Sequence, residues 1–216
     1  MSIHKPSLIA GIKIPDSSIA RQATELLLEH GTEFLYNHSL RVYLFSAING
    51  QRNSISFDAE LLYVSSVFHD LGLTKHYSTK DKRFEVDGAN AARDFLKGHG
   101  LPKDSLQLVW DTIALHTTPG IAEYKEPEVA LMFSGVGLDV MGEGYEHLSA
   151  ENRTEILSAF PRTDFKKNII PTFFSGFEHK TETTFGNMKA DVCAYMIPGF
   201  HRKNFCDCIL HSPWSE

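Results

Sequence analysis

His69 and Asp70 are adjacent at the end of the most apolar helical run in the chain, Leu61-Leu62-Tyr63-Val64-Ser65-Ser66-Val67-Phe68. An imidazole and a carboxylate are costly in such surroundings unless something pairs with them. Neighbouring helical side chains point ~100° apart, so these two cannot stack but can both lean on one ion between them. Asp139 repeats the situation near the end of a second apolar run, with Met132, Gly135 and Val136 at i−7, i−4 and i−3. A bare carboxylate on that face would be forced neutral or would need a cation. Its plainer use is to cap the turn Asp139-Val140-Met141-Gly142. His38 opens the helix before the His69 helix, with Arg41 and Val42 on its face. A single histidine at a helix start more often caps or meets solvent, so His38 counts only as part of the set. Together the four residues make a mixed nitrogen and oxygen set suited to one borderline divalent ion such as zinc, manganese, iron or cobalt, without choosing among them. Ligands from separate helices leave a side open to water, as a catalytic ion requires.

The elements that must position these residues read as helices almost throughout. A Pro-containing arm over residues 1–15 precedes a single domain over 16–216. Apolar periodicity predicts helices over Ser17–His30 and Asn37–Ile48, then a buried helix after an N-cap at Asp58 that ends near Gly72. Further helices are expected over Phe84–His99, Ser105–His116, Glu128–Met141, Asn152–Phe160, 168–175 and Gly186–Tyr195. No alternating run reads as a strand, so the expected fold is an all-α bundle.

Composition narrows the function classes. The net charge of −6 argues against a nucleic-acid surface, whose affinity comes from neutralised phosphates. No apolar run approaches the ~20 residues of a membrane span, and the N-terminus lacks the apolar core of a signal peptide. Cys193, Cys206 and Cys208 read as free thiols, which places the protein in the cytoplasm. The expected partner is a small-molecule substrate, with no nucleic acid and no membrane, and a homo-oligomer is left open.

His38, His69-Asp70 and Asp139 resemble the H…HD…D signature of the HD-domain superfamily of metal-dependent hydrolases. Longer words resemble its cyanamide hydratase group: Asn37-His38-Ser39-Leu40-Arg41-Val42, Phe84-Glu85-x-x-Gly88, His116 after a helix, Leu138-Asp139-x-x-Gly142 and Phe160-Pro161-Arg162. The resemblance runs from about residue 20 to beyond 185. It implies an HD-type helical bundle, a zinc-like ion on the four ligands, and addition of water across the C≡N bond of cyanamide to give urea. The absence of a histidine in Arg83-Phe84-Glu85-Val86-Asp87 favours one metal over two.

Three residues are then candidates for moving the proton: Asp70, Glu85 and His116. Gly88, Ala89 and Ala92 follow Glu85 at i+3, i+4 and i+7, so its face can pack inward, where burial would raise its pKa enough for an acid. Glu85 could equally serve the N-terminal helix dipole, and His116 a helix C-terminus. Thr117 and Arg41 are candidates for substrate binding. The competing enzyme reading, a phosphohydrolase acting on a nucleotide or phosphate ester, predicts that Arg41, Lys82 or Arg83 faces the open side of the metal. A non-catalytic small-molecule-binding domain is the third reading.

Overall fold

A computed structural model describes residues 8–213. The chain folds as helices: α1 (Ser18–His30), α2 (Glu33–Arg52), α3 (Ala59–Phe68), α4 (Phe84–Gly98), α5 (Lys103–Ala114), α6 (Pro127–Met141), α7 (Ala150–Ala159), α8 (Phe165–Phe177), α9 (Lys189–Met196) and α10 (Phe205–Leu210). Local chemistry sets several boundaries. The Ser17 hydroxyl accepts from the Ala20 amide, and the Asp58 carboxylate from the amides of Glu60 and Leu61. Pro127 opens α6, and Gly142 closes it at φ 80°, a conformation that glycine adopts without a Cβ penalty.

Several details depart from the sequence expectation: α3 stops at Phe68, short of Gly72, and α10 was not anticipated. α2 starts at Glu33 rather than Asn37, because the Thr32 hydroxyl caps it by accepting from the Leu35 amide. The arm is not all loop. Its residues 1–7 lie outside the described residues, but Leu8–Ile9 (β1) pairs antiparallel with Ile12–Lys13 (β2). Ile9 and Ile12 are buried, and the Tyr43 hydroxyl donates to the Lys13 carbonyl at 2.9 Å. Two apolar residues flanking Ala10-Gly11 make too short a pattern for periodicity to detect.

α3 lies at the centre, packed against α1, α2, α4, α5 and α6. Every residue from Leu61 to Phe68 is buried, as its all-round apolar surface requires. Two glycines bring the site-bearing helices together. A Cβ on Gly135 of α6 would lie 2.7 Å from the Val42 carbonyl of α2, and one on Gly88 of α4 would lie 2.8 Å from the Phe68 carbonyl. α6 therefore meets α2, and α4 meets the end of α3, backbone to backbone. Among the described residues, no helix is long and apolar enough to cross a membrane.

Candidate metal centre and its surroundings

His38 from α2, together with His69 and Asp70 just past α3, forms a fully buried group whose ligand atoms all lie within 4.8 Å of one another. The hydrogen bond made at Nδ1 decides which nitrogen each ring presents. His69 Nδ1–H donates to the Ser66 carbonyl at 2.7 Å, and His116 Nδ1–H to the Ile113 carbonyl at 2.6 Å. His38 Nδ1–H donates to Asp139 Oδ2 at 2.6 Å. In the neutral rings each Nε2 then carries a lone pair. His38 Nε2 and His69 Nε2 face each other at 3.2 Å. Asp70 Oδ2 stands 3.5 Å from the first and 3.3 Å from the second, and Asp70 Oδ1 is 3.8 Å from His116 Nε2.

Among the described residues neither Asp70 oxygen has a hydrogen-bond partner, and the carboxylate caps no helix. With neutral rings, a buried carboxylate ringed by lone pairs is an arrangement of acceptors without donors, which a cation in its midst would stabilise. The donor set fits a divalent ion: two imidazole nitrogens and a carboxylate, each ring held by its other nitrogen as ligating histidines usually are.

Asp139 was expected as the fourth ligand, and the structure places it behind His38 instead. Besides holding the His38 ring, it receives Arg41 in a fork, Nε to Oδ1 at 2.8 Å and Nη2 to Oδ2 at 2.9 Å. Arg162 adds an ion pair from Nε at 3.1 Å. Burial pushes the Asp139 carboxyl up, but His38 and Arg41 outweigh it and hold it well below the usual carboxylate range. Arg41, expected at the substrate, is fully buried and also donates to the carbonyls of Phe160 and Pro161. Four hydrogen bonds hold its guanidinium inside the protein, so it is a structural clamp.

Glu85 also differs from expectation. It is fully buried, yet burial does not make it an acid, because Lys189 and Arg83 pair with it and bring its pKa down to about 2. Arg83 Nη2 donates to Oε1 at 2.9 Å, and Thr117 Oγ1 and Lys189 Nζ donate to the same oxygen. His116 is buried too, and burial and then the neighbouring His69 lower its pKa to about 4.

Comparisons with known proteins place the chain in a family. The model of the family described as "HD domain" matches residues 35–155. The chain belongs to the HD domain family. Two relatives in Saccharomyces cerevisiae, Cyanamide hydratase DDI2 and Cyanamide hydratase DDI3, are each 26% identical over 164 residues, covering 74% of this chain and 73% of theirs.

The matched HD segment contains His38, His69, Asp70, Glu85, His116 and Asp139, but not every residue at the site. Arg162 and Lys189 come from beyond it. Lys180 also lies beyond it but away from the site, where its Nζ donates to Asp87 Oδ2 at 2.9 Å and Ser78 Oγ at 2.9 Å. None of these three was assigned a role from the sequence. Arg162 lay within a word quoted for the family resemblance, whereas Lys180 and Lys189 are ordinary lysines until the chain folds back. A cleft of about 880 Å³ opens over Arg83 and Thr117, with Phe185, Met188 and Phe200 on its walls.

Proposed function

We propose that the protein is a metal-dependent hydratase that adds water across the C≡N bond of cyanamide, or of a related small nitrile, to give urea or an amide. The observation that carries this reading is the unpartnered Asp70 carboxylate, faced by the Nε2 lone pairs of His38, His69 and His116. The two yeast relatives direct the choice of reaction. His38, His69 and Asp70 hold the ion, with zinc assigned first, and Asp139 orients His38. A divalent ion held there lowers the pKa of water from ~15.7 toward ~7, so that a nucleophile is available at neutral pH.

The chain's own groups then handle the proton. Water delivers its oxygen to the nitrile carbon and one hydrogen to the nitrile nitrogen, and the second hydrogen follows to nitrogen as the carbonyl forms. His116 Nε2 is the acceptor placed to take that proton and return it, since its Nδ1–H is tied to Ile113. Asp70 keeps the negative charge that would favour His116 in its protonated form between the two transfers. Glu85 is ionised and is not the donor. Thr117 Oγ1 donates to Glu85 and accepts from Arg83 at 3.3 Å, so it offers a substrate a fixed oxygen rather than a free rotor.

A phosphohydrolase would need unpaired cations at the open side of the metal. Arg41 is locked on Asp139, Arg83 is taken by Glu85, and Lys82 pairs at the surface with Asp81 at 3.5 Å, which weighs against that reading. The test is urea release from cyanamide by zinc-loaded protein, run beside phosphate release from a nucleotide panel. Urea formation that disappears in Asp70→Ala supports the hydratase, and phosphate release without urea replaces it. Inactivity of metal-loaded protein on both panels would favour a binding domain.

A further inference from the structure

Lys189 is the first residue of α9, 34 positions beyond the end of the matched HD segment, and only 3% of its surface is exposed. A buried lysine is costly unless its charge is used. Glu85 already has one cation in Arg83, whose guanidinium donates from both Nη2 and Nε. Neutralising the carboxylate therefore does not require a second cation. Lys189 touches two groups that lead to the same place. Through Glu85 it reaches Thr117, which follows His116 in the chain and lines the cleft. Its Nζ also sits 5.1 Å from the centre of the Phe84 ring, which meets the His116 ring edge to face at 5.7 Å.

We propose that Lys189 is a positioning residue for the reaction site, bracing Glu85 and Phe84 so that the turn carrying His116 and Thr117 is held against Asp70. The inference rests on the hydratase reading. It extends the working site beyond the segment that defines the family, and it makes α9 part of the catalytic unit rather than a trailing helix.

Lys180 is the control that the fold supplies. It is equally buried and paired, but its partners are Asp87, Ser78 and the Thr79 carbonyl, none of which lines the cleft. The experiment compares Lys189→Met, Lys189→Arg and Lys180→Met as full-length, zinc-loaded proteins, measuring metal content, melting temperature and steady-state hydration of cyanamide. Lys189→Met is expected to keep its zinc and lose about 10–100-fold in kcat, the usual cost of a displaced supporting group at a metal site. Lys189→Arg should recover most of that loss. Lys180→Met should melt earlier while keeping its rate per folded, loaded molecule. Wild-type kinetics in Lys189→Met overturn the proposal, as does a rate loss that merely follows the melting temperature and is matched by Lys180→Met. If the wild type hydrates no nitrile, the proposed reaction fails, and carboxyl ¹³C NMR then decides the brace alone. The Glu85 signal should move between wild type and Lys189→Met, and an unchanged titration overturns the pairing.

Discussion

Two buried polar clusters meet at the 115–118 turn, one through His116 and the other through Thr117. Around Asp70 the chain has gathered lone pairs and negative charge, and among the described residues no hydrogen-bond donor reaches the carboxylate. Around Glu85 it has gathered two cations and a hydroxyl on one carboxylate. Both sites place carboxylates out of water, and they compensate in opposite ways. The first is left for an ion to complete, whereas the second is completed by the protein itself. Burial alone therefore does not say what a carboxylate does. The sign of what surrounds it decides.

Removing the ion should separate the clusters most sharply. Chelation is expected to lower unfolding stability by about 4 kcal/mol where zinc had been at a thousandfold over its Kd. Calorimetry with and without chelator measures this, and a melting temperature indifferent to zinc would contradict a site at Asp70. Asp70→Ala should lose the ion and urea formation together.

Asp139→Asn comes next. It should weaken zinc affinity about 10–100-fold by loosening His38, and should cost about 3–5 kcal/mol because Arg41 is left buried without its counter-charge. Competition with a chromogenic chelator and urea melts read the two effects separately. X-ray absorption of the loaded protein counts the ligands, and an additional carboxylate oxygen beyond that of Asp70 would return Asp139 to the ion.

Glu85→Gln should keep the metal and cost a comparable 3–5 kcal/mol, because Lys189 is then the unpaired buried charge. Full stability in that variant would mean that the second cluster is not self-completed.

A subtler difference lies in pH. Burial lowers the Lys189 pKa to about 8 from 10.5, against the pull of Glu85 and with help from Arg83 and Lys180; Cys193 is also nearby. Between those two values the unfolded chain binds more protons at this residue, so its contribution to stability rises with pH. Activity should instead fall above about pH 8 as the brace loses its charge. An alkaline loss of rate without loss of fold, absent in Lys189→Arg, is the expected result. The smallest effect belongs to Lys82→Ala at the surface, which should change stability by less than about 0.5 kcal/mol and leave urea formation unchanged.

Part of the metal cluster was legible before folding, since His69-Asp70 ends the most apolar helix and charged groups there need an explanation. Arg41 was misjudged because a sequence shows a cation's position but not which carboxylate exhausts its donors. Glu85 was misjudged for the same reason: its small-residue face correctly predicted burial, but burial raises a carboxyl pKa only where no cation follows it inside.

Composition and periodicity determined the helical fold and the central place of α3, because those depend on spacing along one helix. Tertiary structure alone decided which ring nitrogen points inward, that Asp139 stands behind His38, and that Lys189 returns from 104 residues away to meet Glu85. Such pairings depend on where helices dock, and docking distance leaves no periodic trace in the order of the residues.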